Sequence, residues 1–388
     1  MWLGDCIRLM NRILYYILLS LVLFFSSCAG REGNLDNFNV EIYTPEYAQG
    51  FSILGAEGAQ STVLRITNPW QGADNVTFDV FIARDGEKAP KGFNGQVIDG
   101  DAERIVCMSS TYVAMLESIS EVERVVGVSG VNFVTNQYVV QNRDKVKDVG
   151  YDANVNFEMI VALQADVVLL YGVNGASVIE GKLRELGIPY IYVGEYMEED
   201  PLGKSEWLVA IAELVGKRDT GVKVFNQIPE RYLSLKERVS QIEGDKPGVM
   251  INTPYGDNWF MAFTSSYMAR LIRDAGGDYV YKNNDSNRSL PIDMEEAAVL
   301  VSQADVWINV EGVGTLEDLR RKFPKFADAS CVKNGQVYKS DLRYIPGGGN
   351  DFWESGVIYP DKVLSDMVKI FYPGLMEDVE FTYYRKLE

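Results

Sequence analysis

With 388 residues, 47% apolar and 24% charged, the chain has an ordinary globular composition and length enough for two or three domains at roughly 100–200 residues each. It contains no histidine, which excludes a His-based triad, His-ligated zinc and a proximal-His haem within this polypeptide. A formal net charge of −18 repels phosphate backbones and argues against a nucleic-acid partner.

Residues 1–27 read as a segment removed from the mature protein. Ile13–Phe25 is almost wholly apolar, Arg8 and Arg12 precede it, and Ser26-Ser27-Cys28 follows. Basic, apolar and small-residue zones in that order make a secretory signal. The apolar run falls short of the ~20 residues a spanning helix needs. Leu23-Phe24-Phe25-Ser26-Ser27-Cys28 resembles a bacterial lipobox, which implies cleavage before Cys28 and its acylation. A plain signal peptide with an incidental Cys28 is the alternative, and the start lies at Met1 or Met10. Loss of Asp5, Arg8 and Arg12 leaves a mature charge of about −19. A multi-chain lipid anchor is effectively permanent, so a soluble body tethered to a membrane is expected. Ala29-Gly30-Arg31-Glu32-Gly33 carries no acidic run. That favours a periplasm-facing place in the cell envelope over the cell surface.

Residues 28–100 form the tether and a small β extension. Asn39–Tyr43, Thr62–Thr67 and Thr77–Ala83 alternate with period two, and Asn68-Pro69-Trp70 and Arg84-Asp85-Gly86 mark turns. From 101 to 203 strands alternate with helices. Strands are expected at Arg104–Met108, Val125–Val128, Val167–Tyr171 and Tyr190–Val193. Helices are expected at Thr111–Ser120, Asn156–Leu163 and Ala176–Leu186. This rhythm indicates parallel βαβ units. Residues 204–243 are helical, with an amphipathic Lys204–Val215 and a linking helix from Asp219 to about Ile242 that Pro229 interrupts. Alternation resumes over 244–388. Its strands are Gly248–Asn252, Val306–Val310 and Gln336–Lys339. Its helices are Ser266–Ala275, Met294–Val301, Leu316–Arg321 and Pro360–Ile370. The fold class is α/β: two βα lobes joined by a long linking helix, facing across a cleft, with sites at strand C-terminal ends. Cys107 and Cys331 fall in different lobes and are expected as two separate buried thiols.

Several segments carry a family resemblance. Arg104–Thr111 followed by Arg124–Val128 resembles the opening of class III periplasmic substrate-binding proteins. Asn156-Phe157-Glu158-Met159-Ile160 through Asp166-Val167-Val168-Leu169 resembles their next landmark. Leu186-Gly187-Ile188-Pro189, Asp274–Asp278, Pro291–Glu296 and Ala304–Trp307 follow in the family order. The likeness spans about residues 100–373. Gly347–Gly356 is similar to a Bacteroidetes lipoprotein subgroup. The resemblance implies an ABC importer component that hands an iron–siderophore complex, a corrinoid such as cobalamin, or haem to a permease. The family usually carries a docking Glu in its first helix, where Ala114 stands here. Either docking has moved to Glu117 or this protein docks differently; a solvated Glu117 is the other reading.

The expected ligand-binding residues follow strand ends. Ser110, Thr111 and Tyr112 open a helix whose N–H groups and hydroxyls can meet an anionic or carbonyl-rich ligand. Tyr151, Tyr171 and Tyr196 fall at strand ends of the first half. Trp259, Arg288, Arg343, Tyr344 and Trp353 fall in loops of the second. Aromatics suit a large planar or macrocyclic ligand, and arginines suit carboxylate or catecholate oxygens. No catalytic or metal-ligating set stands out. Gly347-Gly348-Gly349 lacks the Lys-Ser/Thr of a phosphate loop, there is no Gly-x-Ser-x-Gly elbow, and Glu198-Glu199-Asp200 reads as solvated. The expected protein is a non-enzymatic monomer without a covalent cofactor beyond lipid, whose ligand is an iron chelate, siderophore first, or a corrinoid. An envelope scavenger without a permease and a carboxylate-dependent hydrolase are the alternatives. The hydrolase would need two carboxylates set across a cleft.

Overall fold

The computed structural model describes residues 37–151, 154–173 and 175–388. The signal segment and Cys28 lie outside the described residues. Among the described residues no helix is long and apolar enough to cross a membrane.

The chain opens with a five-stranded sheet in sequence order: β1 (Val40–Tyr43), β2 (Phe51–Gly55), β3 (Thr62–Thr67), β4 (Thr77–Ala83) and β5 (Gln96–Asp99). Its first three pairings are antiparallel and β4–β5 is parallel. Phe51 and Ile53 alternate inward with Ser52 and Leu54, the period a half-buried strand requires. This sheet is not a peripheral flap. Phe51 packs on Trp207 with ring centroids 4.9 Å apart. The Glu206 carboxylate accepts the Tyr43 hydroxyl and the backbone N–H groups of Glu46, Tyr47 and Ala48.

The first lobe is a parallel sheet of β6 (Ile105–Cys107), β7 (Val125–Val128), β8 (Lys147–Asp148), β9 (Val167–Leu170) and β10 (Tyr190–Tyr192), in the order β10-β9-β6-β7-β8. All four residues of β9, Val-Val-Leu-Leu, are buried, as expected for strands covered on both faces. The second lobe is leaner. Its parallel core is β11 (Gly248–Ile251), flanked by β13 (Asp278–Tyr279) and β15 (Val306–Ile308). A separate antiparallel pair joins β12 (Trp259–Met261) to β14 (Leu290–Ile292).

The region between the lobes differs from expectation. It holds three helices, Pro201–Leu214, Arg218–Phe225 and Gln227–Ser240. All 14 residues of the first are buried, so it is a central pillar rather than an amphipathic surface helix. Its apolar residues face strands and helices all round, while Lys204, Glu206 and Glu213 find polar partners inside. Pro229 does not interrupt the last helix. It is the third residue, where its missing N–H breaks no intrahelical bond. Gln227–Ser240 packs on the helices Pro360–Phe371 and Tyr267–Asp274 of the second lobe. Tyr232 donates to Asp274 at 2.8 Å in that contact. Cys107 and Cys331 are both buried and free, and burial pushes the Cys331 thiol up to about 11.

Candidate functional site

The C-terminal edge of the first-lobe sheet carries a cavity of about 290 Å³. Met108 closes β6 on its floor, Leu170, Tyr171, Gly172 and Val173 continue β9, and Val178 and Ile179 form the far wall. Among the described residues, no charged side chain lines it. The expected helix over Ala176–Leu186 begins only at Glu180, because the preceding residues are spent on this wall, and Val178 stays 83% exposed. Tyr196 fixes the opposite rim, its hydroxyl donating to the carbonyls of Gly172 and Val173. Trp70, carried by the Asn68-Pro69-Trp70 turn, packs against Tyr192 with centroids 5.1 Å apart. A Cβ on Gly172 would lie 3.3 Å from its ring. The first sheet thus supplies a rim residue. Gln71 next to it donates its backbone N–H to Val173 and its side-chain amide to the Asn287 carbonyl of the second lobe, so the cavity opens beside the lobe junction.

Along the same edge, the loops after β7 and β8 present Phe133 and Tyr151, each 53% exposed. Asp148 ends β8 and accepts the backbone N–H groups of Gly130, Val131 and Gly150 at 2.8–3.3 Å. One carboxylate therefore fastens both loops.

A second-lobe strap crosses to the first lobe on the other side. Thr135 donates its N–H to Glu354 at 2.7 Å and its hydroxyl to Asp351 at 3.2 Å, and Thr111 donates to the Trp353 carbonyl at 3.3 Å. Gly347 to Gly349 lie flat on Asn132 and Phe133. A Cβ on Gly349 would sit 2.7 Å from the Phe133 carbonyl oxygen, and Gly347 holds φ +127. Only glycine tolerates both the approach and that backbone, which explains a triplet that is no phosphate loop. Burial raises the Glu354 carboxyl to about 7, opposed by the Thr135 bonds.

The candidate residues sort by where this geometry places them. Tyr171 lines the cavity, Tyr196 braces its rim, and Tyr151 stands on the same strand edge. Two expectations are corrected by burial. Tyr112 is fully buried and its hydroxyl donates to the carbonyls of Leu170 and Val193, joining neighbouring strands. Trp259 is also fully buried. It packs at a tilt on Trp307 and edge-on against Phe326, and its indole N–H donates to the Ile251 carbonyl. A strand this short buries alternate residues, so Trp259 turns inward while Phe260 turns out.

The helix opening is also less free than expected. Ser109 caps the Thr111 N–H and the Thr111 hydroxyl is committed to the strap, which leaves Ser110 at the edge. Arg343 is paired with Asp351 at 2.9 Å. With Tyr344 and Glu117 it lines a separate lateral groove of about 390 Å³. Glu117 accepts from Asn136 at 3.3 Å there, while Ala114 is buried. Arg288 is exposed in the loop beside Asn287, and the half-exposed Trp353 packs its ring on Phe352. Glu198 is buried and Asp200 half-buried, both with committed partners. Glu198 accepts from Gln49, Gly50 and Trp207, and Asp200 pairs with Arg270 of the second lobe at 2.6 Å.

Sequence reasoning missed Met108, Phe133, Asp148 and Val178. Their only signal was position just beyond, or at the end of, a strand. It also missed Glu195 and Lys204, both buried beneath the first-lobe edge. Burial raises Glu195 to about 7, with Lys204 opposing, and burial lowers Lys204 to about 8, with Glu195 opposing. Lys204 donates to the Glu195 carbonyl and sits 5.3 Å from the Tyr267 ring of the second lobe.

Residues 105–344 match the family model described as periplasmic binding protein. An uncharacterized lipoprotein of Methanocaldococcus jannaschii is 29% identical over 337 residues, 79% of this chain and 78% of that protein. Among solved structures, a periplasmic heme binding protein from Pseudomonas aeruginosa aligns at TM-score 0.55 and 16% identity. That alignment covers 70% of this chain and 93% of that one. The periplasmic vitamin B12 binding protein of Vibrio cholerae aligns at TM-score 0.51 and 13% identity, over 72% of this chain and 99% of that one. At such identities the likeness shows the two-lobed fold alone.

Proposed function

The chain belongs to the periplasmic binding protein family, and from that premise we propose that it is the lipid-anchored substrate-binding component of an ABC importer. It captures an iron chelate, siderophore first, between its lobes and delivers it to a permease. The observation that carries this is the cavity at the strand ends of the first lobe, open beside the lobe junction, floored by Met108 and lined by Tyr171. Such placement is where α/β folds hold ligands, and the family context makes capture rather than catalysis the use of the cleft. The lipoprotein name of the Methanocaldococcus relative supports acylation at Cys28 and an envelope-facing, periplasm-side location, with the body acting as a monomer. Glu117, at the rim of the lateral groove on a face shared by both lobes, is the proposed permease contact.

A corrinoid is the second reading, favoured by one observation: the described residues that line the cavity are uncharged. For a wholly anionic chelate, Arg288 is an exposed guanidinium in the loop beside the junction, outside the cavity lining. Haem ranks third, since among the described residues the cavity offers Met108 and Tyr171 alone as iron-ligating types. Native mass spectrometry and absorbance of protein purified from its own host test the reading. A co-purifying iron chelate or corrinoid is expected, and a protein that carries none and binds none on titration refutes it. Cys28→Ala is expected to release the protein from the membrane with ligand affinity intact; full membrane association of that variant removes the lipid anchor.

A further inference from the structure

The cavity beneath Tyr171 is too small by itself for a macrocycle or a hexadentate chelate, so the rest of the ligand must lie on neighbouring surface. Sheet order says where. From β9, whose end walls the cavity, the edge runs through β6 and β7 to β8. Three strand spacings of about 4.8 Å make roughly 14 Å, the width of such a ligand. Over β7 and β8 stand Phe133 and Tyr151.

These two rings differ from the other ring pairs of the first lobe. They are large, half-exposed and held in place. Their centroids are 6.4 Å apart at an interplanar angle of 83°, so the edge of one ring meets the face of the other and each keeps open surface. Three contacts hold them. Asp148 fastens both loops by three backbone N–H groups. Gly130 adopts φ +62 against the Phe133 ring, where a Cβ would approach to 2.8 Å. From the opposite lobe, Gly348 lies against the same ring, where a Cβ would approach to 2.9 Å. Leaving so much aromatic surface in water gains nothing for folding, and exposed apolar surface ringed by fixed loops marks a contact site. Rings set beforehand also bind without the entropy cost of ordering them.

We propose that Phe133 and Tyr151 form an aromatic platform that takes a planar, unsaturated part of the ligand, such as a catecholate ring or a tetrapyrrole face, while the cavity under Tyr171 takes an apolar arm. This rests on the capture reading above and narrows it to ligands with a flat π face. Because Gly348 of the second lobe lies against the Phe133 ring, an occupied platform touches the strap that joins the lobes.

The test uses the mature protein and four probes: ferric enterobactin and haemin, which present flat unsaturated faces, and ferrioxamine B and cyanocobalamin, which do not, the puckered corrin being covered on both sides by its axial ligands. Phe133→Ala is expected to weaken the planar probe that binds by about 5- to 50-fold. Phe133→Leu, which keeps most of the bulk and guards against a folding defect, should lose nearly as much. Tyr151→Ala should lose less, and ferrioxamine B affinity, if measurable, should stay within about twofold. Unchanged affinity for the planar probe in both Phe133 variants overturns the platform. So does a wild-type protein that binds ferrioxamine B or cyanocobalamin but neither planar probe, although the capture reading then stands. A wild-type protein that binds none of the four removes both.

Discussion

Removing the Glu206 carboxylate tests whether the first sheet is a structural part of the binding body. Glu206 is fully buried in the central helix. It accepts the Tyr43 hydroxyl at 2.6 Å and the N–H groups of Glu46, Tyr47 and Ala48 at 2.8–2.9 Å. Glu206→Ala leaves these donors without an acceptor. Glu46 is exposed and can rehydrate, whereas Tyr43 and Tyr47 are half-buried and Ala48 is buried. Each orphaned buried donor costs about 1–3 kcal/mol. The variant also sheds the desolvation cost of a buried carboxylate, so a net loss of about 3 kcal/mol is expected. Glu206→Gln should fare little better, because its amide nitrogen turns a donor toward other donors. Urea denaturation followed by circular dichroism measures the loss, and limited proteolysis should show early cleavage between Tyr43 and Gly50. A loss under about 1 kcal/mol, with unchanged proteolysis, would mean that the sheet is held by the Phe51–Trp207 contact and not by this carboxylate.

Apart from the two-residue β8 and β13, too short to carry a pattern, the parallel strands of both lobes were legible because burial on both faces forces runs such as Val167–Leu170 and Val306–Ile308, which periodicity picks out. β2 and β5 were not. β2 is five residues ending in glycine, and β5 pairs in parallel with β4 without an intervening helix, so neither carried the flanking signals that mark a strand. The central helix was read as amphipathic because Lys204, Glu206 and Glu213 look solvent-seeking in sequence. Glu206 and Glu213 are hydrogen-bonded or neutralised by chain far away, as Glu213 is by Arg84 at 2.6 Å, and such long-range pairing leaves no local trace; Lys204 meets the Glu195 carbonyl nine residues before it. The site was half legible for the same reason. Placement after a strand end found Tyr151, Tyr171 and Tyr196. The side on which a residue points separates Tyr112 and Trp259, turned into the core, from Phe133, turned out. That depends on register, which a one-residue slip reverses.

Trp259→Phe should cost about 2–3 kcal/mol, since it opens space among Trp307 and Phe326 and orphans the Ile251 carbonyl. It should leave ligand-induced fluorescence quenching intact, whereas Trp70→Phe, at the cavity rim, should reduce it. Quenching lost with Trp259 and kept without Trp70 would move the site away from the first-lobe edge. Glu354 supplies a pH dependence. Its carboxyl stands at about 7 in the folded strap against an ordinary 4.5, because burial penalises the charge. Between about pH 4.5 and 7 the folded state therefore holds more protons than the unfolded one, and stability falls as pH rises through that window. At 1.36 kcal/mol per unit the single-group contribution reaches about 3 kcal/mol. Glu354→Gln removes the titration while keeping an oxygen for the Thr135 N–H. Denaturation midpoints at pH 5 and pH 8 should draw together in the variant, with the variant relatively more stable at pH 8. Glu195 remains in both proteins and titrates in the same range, so the difference between the two curves isolates Glu354. Parallel curves would show that the Thr135 bond already holds Glu354 ionised across the window, and that the strap between the lobes carries a charge at every pH tested.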